Sequence, residues 1–451
     1  MSAIIETGRA LKPASLLPLL SDANLGRPLL SNAGSSISVR EFLRDVRAVA
    51  AQLPNGKYAV NLCEDRYRFL VSFCAVAVMG QTNLLPSSRV KQAIDDVMQA
   101  YPSSYALSES ARDESPPRHF VLPQLPTHIG VDQEMPAIAA DHVVAIGFTS
   151  GSTGQPKANP KLWRSVCASS ARNAALLGAV ETACNIVATV PPQHMYGLEM
   201  SVLLPLRSRA TINADQPFFP ADIAHALEKI DAPRVLVTTP FHLRALLQAR
   251  VAMPAIDAIV SATASLDADM ARAAEETFST RVIEVFGSTE TCVIAHRRAA
   301  LDEPWKLYDG VTLRPQPDGT LVEAPYFSTP TALQDIVELL PDERFVLRGR
   351  NSDLLDIAGK RASLGDLNHR LLAIPGVTDG VMFTLDADGK GVRRLAALVV
   401  AKDLSESDIV ENLSSAIDPV FLPRIVRLVD ALPRNTTGKL PREALIAALR
   451  G

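Results

Sequence analysis

Three features of the chain predict an α/β protein. Strand and helix patterns alternate through its middle, a glycine- and hydroxyl-rich loop directly follows a buried-looking strand, and the sequence changes character after a polar turn near residue 350. The elements are read in chain order. Phe69 to Gly80 (FLVSFCAVAVMG) is the most apolar run; it reads as a buried helix and is too short to span a bilayer. Residues 113–136 carry five prolines, which disfavour a long helix or central strand and suggest a surface connection between layers. Val143 to Phe148 (VVAIGF) reads as a strand. Ala221 to Ile230 has helical spacing, Arg234 to Thr238 (RVLVT) is β-rich, and Thr239-Pro240 is an N-cap with proline in the first turn of a helix over 241–250. A strand over 257–261, a helix over 266–278 and a strand over 281–286 complete the alternation. In open sheets built this way, ligands sit beyond the carboxyl ends of the strands. Leu347 to Asp353 (LRGRNSD) reads as the turn that separates residues 1–350 from 351–451.

At 451 residues the chain has room for about two to four domains. Lys plus Arg is 45 against 49 for Asp plus Glu, a net charge of −4. Bulk charge therefore does not suggest a nucleic-acid or anionic-membrane binder. A 47% hydrophobic content excludes disordered and fibrous classes. Cys63, Cys74, Cys167, Cys184 and Cys292 form no CxxC pair and have no histidine at zinc spacing, so they read as reduced, buried thiols. The N-terminal stretch has no basic segment leading into an unbroken apolar core. The expectation is a cytoplasmic protein without signal peptide or integral membrane segment.

Residues 149–157, TSGSTGQPK, carry the sharpest chemistry. Gly151 and Gly154 let successive amides converge on an anion, Thr149, Ser150, Ser152 and Thr153 add hydroxyls, and Lys157 adds charge. A polyphosphate needs this set. The spacing is not that of a Walker A loop, and Pro156 and Pro160 discourage a helix directly after it. Gly287-Ser288-Thr289-Glu290 follows the 281–286 strand, with a hydroxyl for a phosphate and a carboxylate for magnesium. Near the end, residues 433–442 (PRNTTGKLPR) present Lys439 on a glycine turn between prolines. Taken alone, either of these last two strings is also compatible with an ordinary polar turn.

Together the strings resemble the adenylate-forming superfamily: acyl- and aryl-CoA synthetases, peptide-synthetase adenylation domains and luciferases. TSGSTGQPK is similar to its phosphate loop, FGSTE (286–290) to its aromatic-Gly-x-Thr-Glu motif, LRGRNSDLLDIAGKR (347–361) to its hinge, and PRNTTGKLPR to its C-terminal lysine motif. The resemblance extends from about residue 140 to the end. It implies a large multi-subdomain N-terminal domain with helix-covered β-sheets, residues 1–350, and a small mobile α+β C-terminal domain, residues 351–451. Thr149 to Gly154 and Lys157 are then expected to hold the β- and γ-phosphates of ATP, Thr289 the α-phosphate, and Glu290 Mg²⁺. Asp335 and Arg350 are expected at the ribose, His194 beside the acid, Lys439 between acid carboxylate and α-phosphate, and Gly359 and Arg361 facing the thiol-bearing partner. Some positions depart from the family pattern: Ala158 follows the loop lysine, Ser352 and Asp353 stand at the hinge, Asp356 replaces a lysine or asparagine, and Ala332-Leu333-Gln334 leads to Asp335.

The implied reaction joins two anions, so charge must be neutralised at the reacting phosphorus. The expected product is an acyl-AMP, handed to coenzyme A or to the phosphopantetheine of an acyl carrier protein, with an aromatic or medium-to-long acyl acid as substrate. Two rivals remain open at this point. A γ-phosphate-transferring kinase would release ADP instead of AMP, and a non-catalytic nucleotide- or carrier-binding relative would have no chemical need for Lys439 or Glu290. The other histidines, His242 among them, read as surface or capped residues rather than ligands, while the resemblance implies an acid pocket drawing on residues near His194, on Thr239 to His242 and on Ser261 to Ser265.

Overall fold

Short β-branched runs separated by amphipathic helices assemble, as expected, into a parallel sheet. The computed structural model describes residues 15–32, 34–111, 116, 118–125, 134–150, 156–301, 304–316, 319–350, 354–357, 360–385, 394–435 and 440–450. It divides into two compact units, Met1–Ala262 with Leu266–Leu301, and Thr263–Ser265 with Asp302–Gly451.

In the first unit, strands Asn185–Ala188, Arg234–Thr238, Ala258–Ser261 and Arg281–Ser288 pair in parallel, with Val187, Leu236, Ile259 and Val282 in one register row. That row packs against Ile223, Leu227, Leu243, Leu246, Ala271 and Ala274 of helices Pro220–Glu228, Pro240–Ala249 and Ala268–Phe278. Each of the valine, leucine and isoleucine side chains contributes about 1.5–3 kcal/mol on burial. Thr239 caps its helix, Oγ1 accepting from the His242 amide at 3.4 Å. Asp267 accepts from the amides of Asp269 and Met270 at 2.9 and 3.2 Å, so the next helix opens at Ala268, two residues later than expected. Thr211–Asn213, Pro28–Asn32 and Ser35–Ser38 extend the sheet on one side and the antiparallel Cys292–Arg297 on the other.

A second, six-stranded sheet in the same unit has the order Pro156–Leu162, Val143–Ser150, Thr82–Leu85, Tyr58–Asn61, Ser104–Ser108, His119–Val121. The apolar run expected as a helix is one, Arg66–Val78, buried along almost all its length. The proline-rich 113–136 stretch does more than connect layers: its residues His119–Val121 form an edge strand. The opposite edge is Pro156–Leu162, and proline, which has no amide to donate to a ladder, is confined to such edge strands.

The second unit contains the antiparallel strands Asp335–Leu340, Arg344–Arg350 and Trp305–Leu307, and a further sheet of Thr312–Gln316, Gly319–Glu323 and Thr331–Leu333. A hairpin of Leu354–Ile357 and Lys360–Ser363 follows, then Val377–Thr384, Leu395–Ala401 and Ile425–Leu428 with helices Leu364–Leu372, Glu406–Ala416 and Arg442–Arg450. Leu371, Met382, Ala397, Ile409 and Leu413 centre its core. Residues 347–350 are strand and not the expected turn, because they complete the ladder with Asp335–Leu340. All five cysteines are buried and free, in line with their reading as thiols. Among the described residues, no helix is long and apolar enough to cross a membrane.

Candidate active site

Strand Val143–Ser150 turns back as Pro156–Leu162, pairing Thr149 with Lys157 and Ser150 with Pro156. The two strands flank the glycine-rich segment in sequence, and Gly151, Ser152, Thr153 and Gly154 themselves lie outside the described residues. Side chains two apart on a strand share a face, so Lys157, Asn159 and Lys161 point the same way. Asn159 is buried and donates to Thr149 Oγ1 at 3.3 Å and to the Gly147 carbonyl at 3.3 Å, which fixes the root of the loop.

The face bearing those lysines meets the second motif. Lys157 Nζ is 3.8 Å from Glu290 Oε1, and Lys161 Nζ donates to the Glu290 carbonyl at 2.6 Å. The turn itself is tight. Ser288 Oγ accepts from the amides of Glu290 and Thr291 at 3.1 and 3.2 Å, and the Ser288 amide donates to Thr291 Oγ1 at 3.1 Å. Cys292 closes it in a left-handed conformation at φ 63°. Thr289 packs on Gly147, where a Cβ would lie 2.9 Å from Thr289 Cγ2 and 3.5 Å from Met195 Cε. Three segments separated in sequence, the hairpin, the 287–292 turn and the stretch after His194, therefore meet at Gly147. The Glu290 carboxylate is 24% exposed beside a phosphate-type loop. A part-exposed oxygen donor of this kind fits Mg²⁺, which takes one or two carboxylates together with phosphate oxygens.

His194 precedes the short helix Met195–Gly197, which runs into a π-helical turn, Leu198–Leu203. Gly197 is needed there, since a Cβ would come within 2.0 Å of the Pro191 carbonyl oxygen. Tyr196 donates to the Val260 carbonyl at 2.9 Å, which ties the segment to the carboxyl end of strand Ala258–Ser261. Glu199 is 1% exposed. It accepts from Ser169 Oγ and, at 3.1 Å, from the Val293 amide. Burial pushes its carboxyl above the usual range, against the pull of Ser169, the Val293 amide, Lys161 and Asn173.

Thr189, Thr238, Ser261 and Glu284 form a polar row where the strands end. Glu284 pairs with Arg297 at 2.7 Å, while Ser261 Oγ has no hydrogen-bond partner among the described residues. His242 belongs with this row. It is 2% exposed, its Nδ1 lies 3.0 Å from Thr239 Oγ1, and its Nε2 has no partner among the described residues. Burial lowers its pKa to about 4, so the ring is neutral. The surface reading of His242 is thus corrected, while the capped one holds at Nδ1, beside Thr239 Oγ1. Glu199 and Lys161 were not singled out from the sequence; the available signal was one charge within an apolar or strand-like run.

In the second unit the ladder sets Asp335 opposite Arg350, the two residues expected at a ribose. Asp335 is buried, and its carbonyl accepts from Thr320 Oγ1 at 2.6 Å. Arg361 lies in strand Lys360–Ser363, opposite Asp356. Gly359 and Lys439 lie outside the described residues, as do the side chains of Ser150, Arg350 and Arg361.

Comparison with known proteins agrees with this geometry. The family model described as AMP-binding enzyme matches residues 22–319. A 4-coumarate–CoA ligase of Rhodobacter capsulatus is 30% identical over 314 residues, spanning 67% of this chain and 76% of the relative. A 3-hydroxybenzoate–CoA/4-hydroxybenzoate–CoA ligase of Thauera aromatica is 24% identical over 370 residues, 73% of this chain and 69% of that protein. Among solved structures, the o-succinylbenzoate CoA synthetase of Bacillus subtilis in complex with its acyl-adenylate shares the fold, with a TM-score of 0.79 at 17% identity, over 96% of this chain and 98% of that one. A phosphate-type hairpin locked to a Thr-Glu turn within a matched domain of this length leads to one conclusion: the chain belongs to the AMP-binding enzymes, the adenylate-forming superfamily of AMP-forming ligases.

Proposed function

We propose that this protein activates a carboxylic acid with ATP, releasing pyrophosphate, and then passes the acyl group to the phosphopantetheine thiol of coenzyme A or of an acyl carrier protein. The observation that carries the reading is the 3.8 Å approach of Lys157 to Glu290, which joins the phosphate loop's strand to the Thr-Glu turn. The names of the 4-coumarate and hydroxybenzoate ligases support an aromatic acid, with a medium-to-long acyl acid as the next choice.

In this reading Thr149 to Gly154 and Lys157 bind the β- and γ-phosphates, and Thr289 orients the α-phosphate. Asp335 and Arg350 hold the ribose, and His194 lines the acid site. Glu290 holds Mg²⁺, which supplies charge neutralisation on the phosphate oxygens. An acid oxygen attacks the α-phosphorus, the bond to the α,β-bridging oxygen breaks, and pyrophosphate leaves with that electron pair. Lys439 neutralises the two anions as they approach. In the second step the thiol sulfur attacks the acyl carbon, its proton is lost, and AMP leaves. Residues 351–451 act as the mobile domain that withdraws Lys439 and turns Gly359 and Arg361 toward the thiol.

The test is ATP–pyrophosphate exchange without thiol, against benzoates, hydroxybenzoates, cinnamates and fatty acids. Exchange with one class is expected and names the acid. ATP binding with no exchange on any acid overturns the reading in favour of a non-catalytic relative, and ADP as the product in favour of a kinase.

A further inference from the structure

Strand Pro156–Leu162 does more than present Lys157. Lys161 shares its face, is only 4% exposed, and reaches into the 288–292 turn to donate to the Glu290 carbonyl at 2.6 Å. The strand's register slips directly after it, between Lys161 and Leu162, and such bulges re-aim a side chain. From the other side Glu199, on the π-helical turn, accepts from the Val293 amide with both oxygens at 3.1 Å. Burial pushes the Glu199 carboxyl up, and the Lys161 charge is among the groups that pull against it. The turn is therefore gripped at residue 290 by a buried cation and at residue 293 by a buried carboxyl group.

Neither group belongs in an apolar interior without a task, since a buried ammonium or carboxyl left without partners is strongly disfavoured. A hydrophobic pair would pack the strand to the turn equally well. It would not fix the Glu290 backbone while leaving its carboxylate facing the hairpin. We propose that Lys161 and Glu199 are positioning residues, a two-sided clamp on the 288–293 segment that presents the Glu290 carboxylate to the cation bound with ATP. The inference rests on the role given above to Glu290. Its chemistry is specific to Mg·ATP: releasing the clamp lets the carboxylate drift from the metal while the loop's own contacts with nucleotide persist.

Calorimetric titration of the full-length protein with ATP, in excess Mg²⁺ and separately in EDTA, tests this. In the wild type, Mg²⁺ is expected to tighten ATP binding. Lys161→Met is expected to remove at least about tenfold of that gain, with metal-free affinity within about twofold of wild type. Lys161→Arg keeps a cation and a donor and is expected to restore most of the gain. Glu199→Gln is expected to lose part of it, and the double variant with Lys161→Met less than the sum of the single losses. Thermal melts establish that each variant folds, and Lys161→Arg and Glu199→Gln keep the test valid if Lys161→Met does not. An equal loss in Mg²⁺ and EDTA, or no change in either, overturns the clamp. A wild type whose ATP affinity ignores Mg²⁺ instead removes the Glu290 assignment on which the clamp depends, so the two failures are distinguishable.

Discussion

A single hydrogen decides whether the Thr-Glu turn can close. A Cβ at Gly287 would stand 2.1 Å from the Cys292 carbonyl oxygen, and that carbonyl already accepts from Thr291 Oγ1 at 2.8 Å. Gly287→Ala must therefore push the backbone of the turn, not the end of a flexible side chain. Overpacking of this kind costs about 1–3 kcal/mol. At about 2–4 °C per kcal/mol, Tm is expected to fall by several degrees. Exchange activity is expected to fall further, by at least about tenfold, because the displaced turn carries Thr289 and Glu290. Gly26→Ala is the control, its added Cβ meeting Asn24 Oδ1 at an ordinary 3.5 Å, and both readings should stay at wild type. An unchanged Gly287→Ala enzyme would contradict the geometry of the turn. At this scale the sequence offered strings of residues, at 149–157 and 286–290, whose Lys157 and Glu290 the fold brings to 3.8 Å, while the register that sets Asp335 opposite Arg350 comes from the ladder and not from local pattern. It was silent on Lys161 and Glu199. Their meaning lies in a contact between residues 129 positions apart in one case and 94 in the other, which no local pattern encodes.

Among the elements, helix Pro240–Ala249 was readable from its Thr-Pro start, because a cap and a first-turn proline are local signals. Its third residue was not. His242 is buried by packing from distant segments: Phe218 sits edge-on to it with ring centroids 5.1 Å apart, and Thr189 Oγ1 reaches its Nδ1 at 3.4 Å. The same distance from local pattern explains the strand at 347–350, which exists because Asp335–Leu340 pairs with it, and the edge strand His119–Val121 within a proline-rich stretch. The buried histidine has a consequence for pH. Its pKa falls from 6.5 to about 4 on folding, so between those values the unfolded chain binds a proton that the folded chain refuses. The stabilisation from the neutral ring is complete above pH 6.5 and is lost as pH drops towards 4, at up to about 1.4 kcal/mol per pH unit. His242→Leu has no such proton to exclude. The stability of wild type relative to this variant, from urea melts, is expected to be constant above pH 6.5 and to decline steadily below it. A difference that stays flat from pH 7 to pH 4.5 would mean that the ring is not held neutral.

For the molecule as a whole, the proposed chemistry divides labour between two half-reactions with opposite needs. Adenylation brings an anionic acid to an anionic phosphate, so a fixed positive charge at the meeting point lowers the barrier. Thioester formation starts from an acyl-AMP whose carboxylate charge has already been consumed, and a lysine at that point has nothing left to neutralise. Lys439, which the chain carries in its second unit, is assigned to the first step alone. Lys439→Ala is therefore expected to reduce ATP–pyrophosphate exchange by about 10²-fold or more, the range seen when one preorganised electrostatic contact is removed from a reacting centre. ATP binding should remain close to wild type, because the phosphate hairpin and the Asp335–Arg350 ladder lie elsewhere in the chain. Supplied with preformed acyl-AMP and coenzyme A, the variant should still make thioester at a rate comparable to wild type. Parallel loss in both half-reactions would make Lys439 a structural residue or a shared acid–thiol ligand, and undiminished exchange would place the neutralising charge on another residue. Only a selective loss of adenylation fits a protein that uses one site twice and changes its charge between uses.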